Sequence, residues 1–121
     1  MTIFLIAYLA AQVAFYFAQR ADARVSEEGF AKGYAEGNEL AARLFGPRPA
    51  YDKLVFYNYV SLWVFTAPWA FLGWYTFQYV VVAITLAAAG KHLTAVRLWR
   101  RKFATNGDYE PNTALDKFLN W

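Results

Sequence analysis

Two long uncharged stretches dominate the hydropathy pattern of the chain. Residues 1–19 contain no charged side chain, and as a helix they would extend roughly 28 Å, close to a hydrocarbon core of about 30 Å. A cleaved signal peptide is the alternative, which the small residues Ala21 and Ala23 favour, but no basic residue precedes the apolar run. We therefore expect a retained transmembrane helix over residues 1–19.

The second uncharged stretch, residues 54–90, is too long for a single crossing. As one helix it would measure about 55 Å, nearly twice the hydrocarbon thickness. Pro68 removes a backbone donor near its middle and Gly73 follows, so we expect a turn between Ala67 and Gly73. The pattern thus predicts a transmembrane helical hairpin, with arms of about 15 to 17 residues at the lower limit for crossing.

The polar segment between these stretches, residues 20–53, carries as many acidic as basic residues. Apolar side chains recur on one helical stripe and charged ones gather opposite, which predicts an amphipathic interfacial helix. The stripe consists of Phe30, Tyr34, Gly37, Ala41, Leu44 and Phe45. Gly46 and Pro47 would end this helix. The expected ion pairs one turn apart are Glu28 with Lys32, Lys32 with Glu36, and Glu39 with Arg43.

Residues 91–121 form a basic tail whose charge predicts the topology. Most of its positive charges closely follow the apolar run, namely Lys91, Arg97, Arg100, Arg101 and Lys102. The positive-inside rule assigns this end to the cytoplasm. A hairpin places residues 20–53 on the same side and the N-terminus outside.

A short terminal helix is expected at the end of the tail. Thr113 followed by Asp116 resembles a capping arrangement after a turn at Asn106 to Asp108. The apolar residues predicted to dock on the membrane surface or on a neighbouring protein are Leu115, Phe118, Leu119 and Trp121.

These patterns together predict an all-α integral membrane protein with three transmembrane helices and an amphipathic interfacial helix. Its expected location is a bacterial inner membrane, either cytoplasmic or intracytoplasmic. The composition agrees, since 59% of the 121 residues are hydrophobic and only 17% are charged, against roughly 25% in typical soluble domains. The chain has no cysteine, which excludes disulfides and thiolate chemistry.

Aromatic and basic side chains at the ends of the apolar runs predict membrane-interface anchors, because Trp and Tyr rings favour the headgroup level. The predicted anchors are Trp69, Trp74, Tyr75, Trp99, Arg97, Arg100, Arg101 and Lys102. A separate glycine series, Gly29, Gly33 and Gly37, leaves bare positions on one side of a helix and predicts close helix packing.

Candidate chemistry is sparse. His92, the only histidine, could ligate a haem or chlorophyll metal, but an interfacial histidine that pairs with headgroups is the expectation. The chain has one histidine and no cysteine, and neither apolar run contains a charged residue, so we expect no catalytic site, no metal site and no enzyme activity. Neutral polar residues such as Asn58, Thr66 and Thr85 are expected to hydrogen-bond between helices.

One segment resembles a signature of small, uncharacterised bacterial and phage membrane proteins. The matching residues are Asp22, Ser26, Phe30, Gly33, Glu36, Asn38 and Leu40. The chain departs from the signature at Glu39, where those proteins carry proline. The resemblance implies a multi-span membrane protein and implies no activity.

These observations favour a non-enzymatic accessory or structural subunit of a larger membrane assembly. The many aromatic side chains of residues 54–90 would pack against partner helices or lipids, or against a bound lipid, quinone or pigment. Membrane lipids and other integral membrane subunits are the expected partners, with no nucleic acid and no obligatory cofactor. The alternative is a membrane-permeabilising protein resembling phage holins, with which the size and topology agree.

Overall fold

The computed structural model describes residues 3–34 and 39–105, and their regular structure is helical throughout. The three helices are α1 (Ile3–Ala31), α2 (Glu39–Phe45) and α3 (Tyr51–Ala104). The predicted all-α class is therefore confirmed. Helices α1 and α3 are each long and apolar enough to cross a membrane.

Helix α1 continues well beyond the apolar run that predicted it. It passes Gln19 and ends at Ala31, a length of 29 residues or about 43 Å. Its polar extension buries Ala23, Ser26 and Gly29, so this part packs against the rest of the molecule. Glu28 of this extension forms the expected ion pair with Lys32, which directly follows the helix, and the Oε1 and Nζ atoms lie 3.6 Å apart.

The segment predicted as one amphipathic helix is divided in the structure. Gly33 has φ +94, a left-handed conformation that glycine adopts readily, and it ends α1. Helix α2 then covers only Glu39–Phe45. Gly46 has φ +91, and its N–H donates to the carbonyl oxygen of Ala42 at 2.8 Å. Glycine thus interrupts the predicted helix once and closes it once.

Helix α3 reverses direction at Gly73, whose φ and ψ of 165° and 94° are not helical. The ring centroid of Phe15 lies 5.1 Å from that of Tyr59 and 5.5 Å from that of His92, so both halves of α3 lie beside α1. Pro68 stays inside the first half, so the turn lies after the proline. Since α3 includes residues 51–53 and 91–104, the halves extend about 33 and 46 Å, longer than the predicted arms.

The two ends of the bundle differ in charge. Near the Gly73 turn, the ring of Phe4 lies 5.2 Å from that of Trp74. At the other end, the ring of Phe30 lies 6.0 Å from that of Trp99, and the Arg48 Nη2 atom donates to the carbonyl oxygen of Gly33 at 2.8 Å. The charged side chains that the structure describes all belong to residues 20–53 and 91–102. They therefore lie at the end away from the turn, which we call the charged end.

Polar groups within the bundle are satisfied by the chain. Asn58 Nδ2 donates to Gln19 Oε1 at 3.2 Å, an interhelical hydrogen bond of the predicted kind. Thr66 and Thr85 instead donate to backbone carbonyl oxygens one turn earlier in α3, each at 2.8 Å. Such internal pairing is required where water is scarce.

Candidate functional site

A histidine–aspartate pair joins α1 to the second half of α3. Asp22 Oδ2 lies 2.6 Å from His92 Nδ1, and the two side chains are only 17% and 15% exposed. Ser26 Oγ donates to the other carboxylate oxygen at 3.4 Å. Asp22 and Ser26 are one helical turn apart in the polar extension of α1, so this extension creates the site.

The Asp22 contact determines what His92 offers chemically. When the carboxylate accepts the Nδ1 proton, the neutral imidazole keeps a free electron pair on Nε2. Within residues 3–34 and 39–105, the structure gives Nε2 no hydrogen-bond partner. In that state His92 presents a hydrogen-bond acceptor at Nε2.

Lys91 adds a third ionisable group to the lining of the site formed by Asp22 and His92. Burial lowers the pKa of Lys91, while the nearby Asp22 carboxylate acts in the opposite direction. Asp22 and Lys91 carry opposite charges, so the two together are electrically neutral.

A cavity of about 420 Å³ adjoins these groups and is lined by all three helices. Its volume lies within the roughly 300–1,000 Å³ typical of small-molecule sites. The polar lining consists mainly of Asp22, Ser26, Asn58, Ser61, Lys91 and His92. The remaining walls are largely apolar, with Leu40, Leu44 and Phe45 contributed by α2. The cavity thus combines one polar side with an extended apolar wall.

The apolar wall reaches the outer surface of the bundle. Leu44, Phe56 and Val64 line the cavity and are 61%, 62% and 62% exposed. The cavity therefore opens sideways between α2 and the first half of α3. We call this opening the lateral mouth.

An aromatic cluster lies beyond the His–Asp pair and closes the contact between α1 and α3. Trp99 is only 7% exposed and packs over the bare backbone of Gly29. Its ring lies 5.6 Å from that of Phe103, and Lys32 Nζ is 4.1 Å from the Phe103 ring centroid. Lysine and aromatic side chains thus hold the ends of the two helices together.

The predicted packing glycines have different surroundings. Gly29 contacts Trp99, whereas the space where a Gly33 side chain would begin is open. Gly37 lies outside the described residues, as does the predicted docking group of Leu115, Phe118, Leu119 and Trp121.

The predicted interface anchors divide into buried and exposed residues. Trp99 is buried in the helix contact because Gly29 leaves room for its ring. Tyr75 is 92% exposed and Trp74 is 39% exposed, both at the turn. Trp69 is partly buried, with its ring 5.4 Å from that of Phe77. Arg97, Arg100 and Arg101 are exposed and Lys102 is half-buried.

Sequence reasoning missed the His–Asp pair, although two local signals were present. Asp22 and Ser26 share a helix face at i and i+4, and His92 follows the second apolar run directly. Joining them required the continuation of α1 past Gln19 and the reversal of α3 at Gly73.

A comparison of the chain with known protein families, curated proteins and solved structures finds no match.

Proposed function

We propose that this chain is an integral membrane protein of a bacterial inner membrane that crosses the bilayer three times and serves as a non-enzymatic accessory subunit. The observation that carries the proposal is that the described charged residues lie at one end of the bundle formed by α1 and the two halves of α3. Charged side chains are costly in hydrocarbon, and basic ones favour the cytoplasmic side. The charged end would therefore face the cytoplasm, with the Gly73 turn and the N-terminus outside.

The outward faces of the helices support an assembly role. Ile6, Val13 and Phe17 form an exposed stripe on α1, with exposed fractions of 55%, 55% and 62%. Trp63 and Phe71 on α3 are 60% and 91% exposed. Large apolar side chains of this kind face lipid or pack against helices of a partner. Aromatic rings also give large contact areas and edge-on packing, which suits helix–helix contact.

Native purification tests the assembly role. The tagged full chain, extracted from its own membrane in a mild detergent, should elute with integral membrane partners in a fixed stoichiometry. We expect the triple substitution Ile6→Ala, Val13→Ala and Phe17→Ala to lower partner recovery severalfold, because it removes contact area without touching the buried face. Quantitative mass spectrometry of the eluate measures the recovery.

A matched variant and a functional alternative make this test decisive. Trp63→Ala alters the exposed surface of α3, so comparison with the α1 triple variant identifies the face that contacts the partner. Elution of the chain alone, together with abrupt loss of membrane potential on induced expression, would contradict the proposal and favour the holin-like alternative.

A further inference from the structure

The charge of the cavity lining limits the head groups that it can accept. Asp22 and Lys91 both line the cavity and have opposite charges. An anionic head group would meet the Asp22 carboxylate, and a cationic one would meet the Lys91 ammonium. Like-charge contacts are unfavourable, and more so where burial limits screening. The lining is therefore best matched by a head group without net charge.

Hydrogen bonding narrows the choice further. The Nδ1 atom of His92 is engaged by Asp22 Oδ2 at 2.6 Å, which leaves Nε2 as an acceptor when the imidazole is neutral. A neutral head group that carries a hydroxyl can donate to Nε2, whereas a head group with only carbonyl oxygens cannot. Ser26 and Asn58 on the same lining offer further polar atoms to a second oxygen of the head group.

Aromatic rings also line the cavity. Phe45, Phe56 and Tyr57 are among its lining residues and are each at least partly exposed. Edge-on and offset contacts favour a flat aromatic head group over an aliphatic alcohol such as glycerol. The lining therefore favours a phenolic hydroxyl.

The apolar wall and the lateral mouth give the ligand a tail and a route of entry. Leu44 and Val64 line the cavity and are also exposed on the outer surface. A hydrocarbon tail could lie along this wall and leave through the mouth into the lipid.

We propose that the cavity binds a quinol, a hydroquinone with an apolar tail, whose phenolic hydroxyl donates to His92 Nε2. The tail follows the α2 wall to the lateral mouth. This inference rests on the membrane placement proposed above and requires no partner subunit. It concerns binding alone.

Equilibrium binding to the full chain in lipid nanodiscs tests the proposal. The probe is a hydroquinone with a short prenyl tail, kept reduced, and empty nanodiscs correct for partition into lipid. We expect saturable binding, weaker binding of the oxidised quinone, and about a tenfold loss of affinity in His92→Ala, which is the scale of one good hydrogen bond. Glu27→Gln, an exposed change on α1 away from the cavity, should leave the affinity unchanged.

A second variant covers the case in which His92→Ala unfolds the chain. Leu44→Gln alters the exposed mouth without disturbing the core, and it should weaken binding severalfold because the tail then meets a polar amide. Equal or tighter binding of diacylglycerol or of a fatty acid would overturn the proposal, as would unchanged affinity in either variant. Failure of the chain to insert into nanodiscs would refute the membrane placement, whereas an inserted chain without saturable binding would refute only the quinol site.

Discussion

Replacing Phe15 by alanine is expected to destabilise the folded chain by about 3 kcal/mol. Phe15 is fully buried, and its ring contacts both halves of α3 through Tyr59 and His92. Its removal leaves a cavity where α1 meets both halves of α3. Because lipid is as apolar as the core, the loss is mainly one of packing contacts. Reversible denaturation in mixed detergent micelles, followed by circular dichroism, measures the change.

Phe17 provides the matched control for this substitution. It lies on the same helix but is 62% exposed, so Phe17→Ala removes the same atoms without opening an internal cavity. We expect a change below about 0.5 kcal/mol, as is usual for surface positions. Equal destabilisation by the two substitutions would show that α1 does not present Phe15 to α3.

Substitution of Gly29 by alanine is expected to cost about 1–3 kcal/mol, despite the better helix propensity of alanine. A methyl group at this position would overlap the six-membered ring of Trp99. The ring is held by neighbours, including Phe30 and Phe103, so it can move only if the aromatic cluster opens. The same denaturation experiment measures the loss.

Gly90 provides the matched control for the substitution of Gly29. It is also helical, but the space where its side chain would begin is open, with no heavy atom within 4 Å. Gly90→Ala should therefore stabilise the chain by up to about 1 kcal/mol through helix propensity alone. Destabilisation by Gly90→Ala, or stabilisation by Gly29→Ala, would contradict the packing seen at Trp99.

Hydropathy predicted much of the fold because long uncharged runs have few alternatives to helix. The excess length of residues 54–90 predicted a reversal, and the structure places it at Gly73, at the end of the expected turn region. Helix ends were harder to predict. Glu27, Glu28 and Lys32 have the pattern of solvated polar residues. Glu27 and Glu28 nevertheless belong to α1, because the opposite face of this helix packs against α3. Tertiary contact, which hydropathy does not report, extended the helix.

The candidate site was beyond prediction for a related reason. Asp22 and His92 are distant in sequence, and each alone reads as an ordinary polar residue at a membrane edge. They meet only because α1 lies beside the second half of α3. Trp99 shows the same effect, since it packs over Gly29, which is distant in sequence. The sequence contained the residue types, but the pairing came from the fold.

The extension of α1 also explains why polar and apolar features share one cavity. If α1 ended at Gln19, Asp22 and Ser26 would leave the helix face that turns toward α3. The continued helix instead holds Asp22 and Ser26 beside His92, while α2 supplies apolar side chains to the same cavity. A small chain thereby forms a site with a polar side and a route toward lipid.

Cysteine accessibility tests the three-crossing topology most directly, and the absence of native cysteine gives a clean background. Single cysteines at Glu27, Tyr75 and Arg100, all exposed positions, would be labelled in intact cells with a membrane-impermeant maleimide, with lysed cells as reference. We expect Tyr75→Cys to react in intact cells, whereas Glu27→Cys and Arg100→Cys should react only after lysis. Labelling of Glu27→Cys and Arg100→Cys from opposite sides of the membrane would contradict this topology.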